Sequence, residues 1–319
     1  VLAKLGIVDN RRKLAIGDVR DQSRQAHEMG LGRFVITGGE PLTYPEFDQL
    51  VEAINPDLHY IISDSNGWFL DDARARHIKS IGVDKVQVSL DSIVPEEHDR
   101  FRNKQGAYDR VMRSIDTSLN AGLSYILSTV LLRGEAGSEE FLRLCAFAKD
   151  RGVGLYVSYA KPVGAYLGNY DAVITKEDAD IVRELEKEYP VFTHMTPRYG
   201  LYQGCITMKG IVTLTSDGHI EPCPYIHVSM GNVFEEPLRD IIDGRGMRTK
   251  LFGEHRLDCC VGENRPFMEK LTVKTREHLA AGRRLPIPWN EFFTEDDLMP
   301  APRAAEDDSL DSPDPESTE

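Results

Sequence analysis

Long apolar runs are missing from this sequence, and none approaches the roughly 20 residues that a membrane helix needs. The opening VLAKLGIV is short and has no basic region before the apolar residues, which argues against a signal peptide. Cysteine is scarce, with five among 319 residues. That number is too small and too clustered for a secreted disulfide framework, so we expect a cytoplasmic protein with no membrane association.

Phosphate-loop and GxGxxG patterns are also missing, which disfavours nucleotide hydrolases and dinucleotide-dependent dehydrogenases. Basic residues are outnumbered, with 38 Lys and Arg against 52 Asp and Glu and a net charge of −14. This balance argues against a nucleic-acid partner. The excess of acid is concentrated at the end of the chain, where residues 291–319 are also proline-rich. We expect this segment to be an acidic disordered tail.

Alternation of two hydrophobic periods dominates the first 190 residues. Short β-branched runs alternate with amphipathic stretches of helical spacing, which is typical of parallel βα units. The five runs predicted as strands are 33–37, 59–63, 85–90, 124–132 and 154–160. The stretches predicted as helices between and after them are 17–29, 46–54, 71–81, 107–121, 138–150 and 176–188. Ligand chemistry in such folds gathers at the carboxyl ends of the strands.

The pattern changes after residue 190. A hairpin is predicted over 210–222, with its turn at Asp217-Gly218, and helices are predicted over 235–243 and 263–281. Four of the five cysteines lie in this part of the chain. The fifth, Cys145, has the helical spacing of a core residue.

Three of the predicted strands are followed by segments with polar or glycine residues. The first is TGGEP at 37–41, in which two glycines let a backbone approach a ligand and a carboxylate can meet a cation. The second is SNG at 65–67 and the third is SLD at 89–91, before EEHDRFR at 96–102. Taken singly, these are also compatible with a tight turn, a left-handed turn and a solvated helix face.

Together, the four segments resemble the radical SAM superfamily, whose members cleave S-adenosyl-L-methionine reductively at a [4Fe-4S] cluster. The resemblance implies an α/β fold with a partial (β/α)6 barrel. It also implies a methionine amino group at Gly38, Gly39 and Glu40, and a methionine carboxylate within reach of Arg102. The residues that it implies around the cofactor are Gly38, Gly39, Glu40, Pro41, Ser65, Asn66, Ser89, Asp91 and Arg102.

The sequence departs from the family pattern in one respect that matters for chemistry. The three-cysteine motif CxxxCxxC, which holds the catalytic cluster, does not occur among the 319 residues. Five strands are visible where the family has six, so we expect the first strand and the cysteines to precede residue 1. A natural member that binds no catalytic cluster is the alternative. In either case we expect no radical chemistry from these residues as they stand.

The second constellation is a pair of cysteines around the hairpin, Cys205 and Cys223, with Cys259 and Cys260 further along. A hairpin can aim such thiolates at one metal site, and Cys223 lies between two prolines, which favours metal ligands over the alternative of buried apolar cysteines. The Cx12Gx4C spacing resembles a SPASM or twitch domain, which implies an auxiliary iron–sulfur cluster. We favour Cys260 over Cys259 as the third ligand. The fourth position is either open to substrate or held by His219, His227 or His255.

The resemblance therefore predicts three regions: a barrel over 1–190, a small twitch-like α+β domain over 191–290 and the tail over 291–319. The implied function is a radical SAM enzyme that forms a 5′-deoxyadenosyl radical and abstracts hydrogen from a peptide or small molecule. A flavodoxin or ferredoxin is the implied reductant. The alternative is a noncatalytic barrel that binds a nucleotide-like ligand and a structural zinc through the four C-terminal cysteines.

Overall fold

Six parallel strands form the central sheet of the computed structural model, which describes residues 11–194 and 204–300. The strands follow one another across the sheet in chain order, and each pairs in parallel with the next. They are β1 (Arg33–Ile36), β2 (Tyr60–Ser65), β3 (Lys85–Ser89), β4 (Ser124–Leu131), β5 (Gly154–Tyr159) and β6 (Val191–Phe192). The predicted α/β fold, a partial barrel of parallel βα units, is confirmed.

Helices connect these strands close to the predicted positions. They are α1 (Ile16–Glu28), α2 (Phe47–Ile54), α3 (Asp72–Ser80), α4 (Pro95–Arg102), α5 (Ala107–Asn120), α6 (Glu139–Asp150) and α7 (Lys176–Leu185). Side-chain caps explain several of the helix starts. The Asp71 carboxylate accepts from the Arg74 N–H before α3, and the Ser138 hydroxyl accepts from the Phe141 N–H before α6.

The prediction of five strands was wrong, because the sequence analysis missed β6. This strand has two residues and follows Pro190, so it shows neither alternation nor an extended β-branched run. Its pairing with β5 in fact defines it, with Leu155 opposite Val191 and Tyr156 opposite Phe192. The strand count therefore no longer supports a missing first strand.

The two faces of the sheet have different roles. The outer face packs under the helices and is fully buried at positions such as Ile61, Val86 and Leu127. The inner face carries polar residues that are paired across neighbouring strands. Asp64 on β2 pairs with Gln87 on β3, and Ser89 on β3 pairs with Ser128 on β4. The interior of the partial barrel is thus polar towards its carboxyl-terminal edge.

A second unit follows the barrel. The predicted hairpin is confirmed: β7 (Thr213–Leu214) pairs antiparallel with β8 (His219–Glu221). Gly218 forms the turn at φ +84°, where a Cβ would lie 2.6 Å from the Asn232 side-chain oxygen, so only glycine fits. The other elements are β9 (Val228–Ser229), β10 (Gly231–Asn232), α8 (Lys250–Gly253), α9 (Arg265–Ala280), β11 (Ile287–Pro288) and α10 (Trp289–Phe292).

The helix predicted over 235–243 takes a different form. The structure has a π-helical stretch over Asp240–Gly246 instead. Pro237 carries no N–H, while its carbonyl oxygen accepts from the N–H groups of Asp240 and Ile241. The glycine-containing turn that follows is wide enough for the longer hydrogen-bond spacing.

The end of the described chain belongs to the packed core of the second unit. Phe292 and Phe293 are 3% and 4% exposed, and the Trp289 indole donates to the Thr249 hydroxyl at 3.1 Å. The predicted tail therefore began too early at residue 291, because acidic composition concealed two buried aromatic rings. Residues 301–319 of that tail lie outside the described residues. Across the described ranges, no helix has the length and apolar character to cross a membrane.

Truncation of Phe292 tests this packing. The ring lies 4.8 Å from that of Phe293 and 5.7 Å from that of Phe267. We expect Phe292→Ala to lower the free energy of unfolding of the second unit by about 3 kcal/mol, measured by denaturant unfolding. Val273→Ala, at a 51% exposed position of α9, should change it by less than about 0.5 kcal/mol. Equal effects of the two variants would contradict the packing described.

Candidate cofactor sites

Polar segments follow β1, β2 and β3 and meet at one edge of the sheet, because parallel strands end in the same direction. The Glu40 carboxylate connects two of them. It accepts a hydrogen bond from the Ser65 hydroxyl at 3.0 Å and from the Asn66 backbone N–H at 2.7 Å. It also accepts from the Leu42 N–H at 3.2 Å, at the start of a 3-10 turn that begins with Pro41. Glu40 therefore holds the segments after β1 and β2 together.

The two glycines before Glu40 leave room for a ligand. Gly38 has φ +147°, which a side chain rarely adopts, and a Cβ at Gly38 or Gly39 would meet no atom within 4 Å. The backbone is thus open on the side where a side chain would stand. Such a glycine segment, held by a carboxylate, lets a ligand contact main-chain groups directly.

The segment after β3 is fixed by an ion pair. The Arg102 guanidinium donates to both Asp91 carboxylate oxygens, with Nε–Oδ2 at 2.5 Å and Nη2–Oδ1 at 2.9 Å. The Asp91 backbone N–H donates to Nδ1 of His98, which is 1% exposed. Two residues expected to contact the cofactor therefore contact each other, and this pair fastens α4 to the end of β3.

Sequence analysis missed Asp64, which lies on the inner face of β2. Thr37 donates a side-chain hydrogen bond to it, while Oδ1 is buried without a partner. Burial raises the pKa of Asp64 to about 6, and the neighbouring Glu40 charge acts in the same direction. The available signal was an acidic residue at an inner-face position of a strand otherwise rich in isoleucine.

Four cysteines gather in the second unit. Cys205 is brought to the later pair by backbone pairing, since its N–H donates to the Arg256 carbonyl at 3.0 Å. The sulfurs of Cys205 and Cys260 lie 3.9 Å apart. Cys205, Cys223, Cys259 and Cys260 are 5%, 7%, 4% and 1% exposed and share one apolar core. Cys145 lies in α6, in the separate core of the barrel.

The pKa values of these thiols are strongly perturbed. The hydrogen bond from Cys260 lowers the pKa of Cys205 to about 5, and that of Cys260 is raised by the same contact. Burial raises the pKa of Cys223 to about 12 and that of Cys259 to about 11. One thiolate of the close pair therefore forms readily, while the other sulfurs need a cation to ionise.

Two of the histidines considered for the fourth position, His219 and His227, form hydrogen bonds elsewhere in the second unit. Among the described residues, no three His, Cys, Asp or Glu side chains converge closely enough to hold one metal ion. His219 bonds the Ser229 hydroxyl at 2.8 Å, and His227 bonds the Glu221 carboxylate at 3.2 Å.

Lys161 lies where the barrel meets this cysteine unit. It is 4% exposed, and its Nζ lies 4.0 Å from the ring centroid of Tyr225. The Tyr225 hydroxyl is 3.0 Å from the Ser158 hydroxyl on β5, and the Tyr225 backbone N–H donates to the Cys223 sulfur. Sequence analysis left Lys161 unassigned, because lysine after a strand carries no signal of burial.

Two family models match this chain. The radical SAM superfamily model matches residues 6–148, and an iron–sulfur cluster-binding domain model, SPASM, matches residues 205–262. Residues 6–148 thus form a domain of the radical SAM superfamily, and residues 205–262 form a SPASM domain. S-adenosylmethionine and iron–sulfur clusters are the cofactors of these domains.

Curated relatives cover about two thirds of the chain. It is 25% identical over 248 residues to the AdoMet-dependent heme synthase of Methanosarcina barkeri, covering 68% of this chain and 70% of that protein. It is 27% identical over 239 residues to the GTP 3′,8-cyclase of Nautilia profundicola, covering 68% and 72%.

Solved structures agree on the fold. Streptococcus suis SuiB superposes with a TM-score of 0.57 at 18% identity, over 76% of this chain and 64% of SuiB. The chain thus spans less than two thirds of SuiB. Native anSMEcpe with bound AdoMet gives a TM-score of 0.54 at 16% identity, over 75% and 74%. These similarities agree with the partial barrel fold.

Asp64 predicts a pH dependence of stability. Its pKa is higher in the folded protein than the value of about 4 in an unfolded chain, so the carboxyl opposes folding as pH rises, fully above pH 6. Asp64→Asn should raise the free energy of unfolding by about 1–3 kcal/mol at pH 7.5 and leave it unchanged at pH 3.5. Denaturant unfolding at both pH values, with the exposed Asp57→Asn as control, measures this. A stability gain independent of pH would disprove the assignment.

The cysteine cluster predicts selective metal loss. After anaerobic reconstitution with iron and sulfide, the chain should retain both, and Cys145→Ala should retain them equally. Cys205→Ala should lose most of the iron, because it removes the thiol nearest to Cys260. Iron, sulfide and zinc analysis of purified protein is the measurement. Stoichiometric zinc without sulfide, or iron retained in Cys205→Ala, would contradict the cluster.

Proposed function

We propose that this chain forms the S-adenosylmethionine-binding barrel and the auxiliary-cluster unit of a radical SAM enzyme that abstracts hydrogen from its substrate. The observation that carries the proposal is the contact between the two units. Ser158 at the end of β5 meets Tyr225, which follows Cys223 by two residues. The buried cysteines therefore stand beside the edge of the barrel at which the glycine segment opens.

The barrel edge would hold the S-adenosylmethionine. The open backbone at Gly38 and Gly39 would receive the amino group, and Glu40 would keep that segment against Ser65 and Asn66. Ser89 and Asp91 would face the ribose, while Arg102 orients Asp91 and offers its remaining N–H donors to a carboxylate. Reductive cleavage of the bound molecule supplies a 5′-deoxyadenosyl radical in this superfamily.

The catalytic [4Fe-4S] cluster has no matching residues here. The five cysteines of the sequence do not form CxxxCxxC, and Cys145 is buried in α6 beneath the sheet. No step of the reaction is therefore derived through that cluster.

The auxiliary cluster would be held by Cys205, Cys223 and Cys260, with Cys259 beside them. The low pKa of Cys205 supports ready thiolate formation at the first ligand. A single structural zinc is the alternative for the same cysteines, and analysis of iron, sulfide and zinc distinguishes the two. The barrel would occupy residues 1–190. The auxiliary unit would begin at 191 and extend to about residue 300, since Phe292 and Phe293 pack in its core.

The substrate would be a peptide or a small molecule. SuiB is described with a precursor peptide and anSMEcpe with a peptide, whereas the curated relatives are a heme synthase and cyclases of GTP. A small flavodoxin- or ferredoxin-type protein in the cytoplasm would supply electrons. The net charge of −14 supports the absence of nucleic acid as a partner.

Replacement of Glu40 tests the cofactor site. Glu40→Ala removes the hydrogen bonds to Ser65 and Asn66 and the negative charge beside the amino group, so binding of S-adenosylmethionine should weaken by about 10- to 100-fold. Anaerobic titration calorimetry measures the affinity. Glu46→Ala, at an exposed carboxylate that bonds Tyr44, should leave it unchanged. Equal affinities of the two variants would remove Glu40 from the site.

The same titration separates binding from chemistry. With dithionite, these 319 residues should bind S-adenosylmethionine only weakly and form no 5′-deoxyadenosine, because they lack the three-cysteine motif of the catalytic cluster. Formation of 5′-deoxyadenosine above a protein-free control would overturn that expectation. Absence of any binding by the unaltered chain would count against the proposed function.

A further inference from the structure

Lys161 is a buried cation with ties to both units. Its Nζ donates to the Tyr159 carbonyl at 2.8 Å and lies 3.5 Å from the Ser158 hydroxyl, both on β5. On the other side, the ammonium stands over the Tyr225 ring. These contacts fix the position of the charge but do not neutralise it.

No carboxylate of the described residues forms an ion pair with Lys161, although a buried ammonium is costly without a counter-charge. The group under the ammonium leads to the cysteines, because the Tyr225 backbone N–H donates to the Cys223 sulfur. Burial raises the pKa of Cys223 and of Cys259, and the Lys161 charge partly offsets that rise. His194 adds no positive charge nearby, because burial lowers its pKa to about 3 and Lys161 acts in the same direction. Through Tyr225, the ammonium thus adjoins the segment that carries Cys223.

We propose that Lys161 is a positioning residue of the auxiliary centre, whose ammonium is the counter-charge of the thiolate-bound cluster and raises its reduction potential. This inference rests on the proposed function. Reduction adds one electron to the cluster and breaks no bond, so a fixed positive charge stabilises the reduced form more than the oxidised form. Cluster potentials depend on net charge, hydrogen bonds to sulfur and solvent exposure. Because Lys161 is only 4% exposed, solvent screens its charge weakly.

Variants of Lys161 and Tyr225 distinguish the effect of the charge from that of packing. Lys161→Met removes the ammonium and keeps a long apolar side chain, while Lys161→Arg keeps the charge. Tyr225→Phe removes the hydroxyl contact with Ser158 and leaves both the ring and Lys161. Lys209→Met is the matched control, because Lys209 bonds the Glu254 carbonyl at the surface of the same unit.

The experiment is a redox titration of the reconstituted 319-residue chain, followed by electron paramagnetic resonance, with iron and sulfide measured on each sample. In Lys161→Met, the ratio of reduced to oxidised cluster at a fixed solution potential should fall at least about tenfold, a shift of 59 mV for one electron. The same ratio should stay within about threefold of that of the unaltered chain in three variants: Lys161→Arg, Tyr225→Phe and Lys209→Met. Iron content should be the same in all of them.

Each other outcome has a defined meaning. An unchanged potential in Lys161→Met with iron retained would overturn the inference and leave the proposed function intact. Loss of iron from Lys161→Met but not from Lys161→Arg would support the counter-charge, while loss from both would assign Lys161 to folding and overturn it. Absence of iron and sulfide from the unaltered chain would instead refute the auxiliary cluster itself, and the inference with it.

Discussion

The parallel direction of the six strands is the constraint on which both candidate sites depend. It brings the loops after β1, β2 and β3 to one edge, where Glu40 takes hydrogen bonds from Ser65 and Asn66. The helices bury the outer face of the sheet and so fix its register, because a slip of one residue would turn Val86 and Val88 inward. The inner face remains free to carry the polar groups of a ligand site.

The second unit packs against this edge through side-chain contacts. Tyr225 contacts Ser158 and Lys161 on the barrel side, and its N–H donates to the Cys223 sulfur on the other. Helix α1 also joins the units, since the Gln25 side chain accepts from the Leu238 N–H at 2.9 Å. In the proposed holoprotein, the buried ammonium and a thiolate-bound cluster would each provide the other with a counter-charge.

Periodicity predicted most of the barrel, because its strands and helices are long enough to repeat their patterns. Helix α5, for example, was predicted over 107–121 and spans Ala107–Asn120. Periodicity failed where an element is defined by its partner: β6 has two residues and exists through pairing with β5. It failed again at the π-helical stretch over 240–246, and at Phe292 and Phe293, whose acidic neighbours suggested disorder.

The sequence by itself determined the strand and helix types, the motif segments at the strand ends, the superfamily and the cysteines of the second unit. Residue identity and spacing are sufficient to predict these features. Only the tertiary structure decided that Cys205 meets Cys260, that Arg102 pairs with Asp91, and that Asp64 and Lys161 are shielded from water. Such contacts join residues far apart in the chain. They depend on packing between elements, which no local pattern encodes.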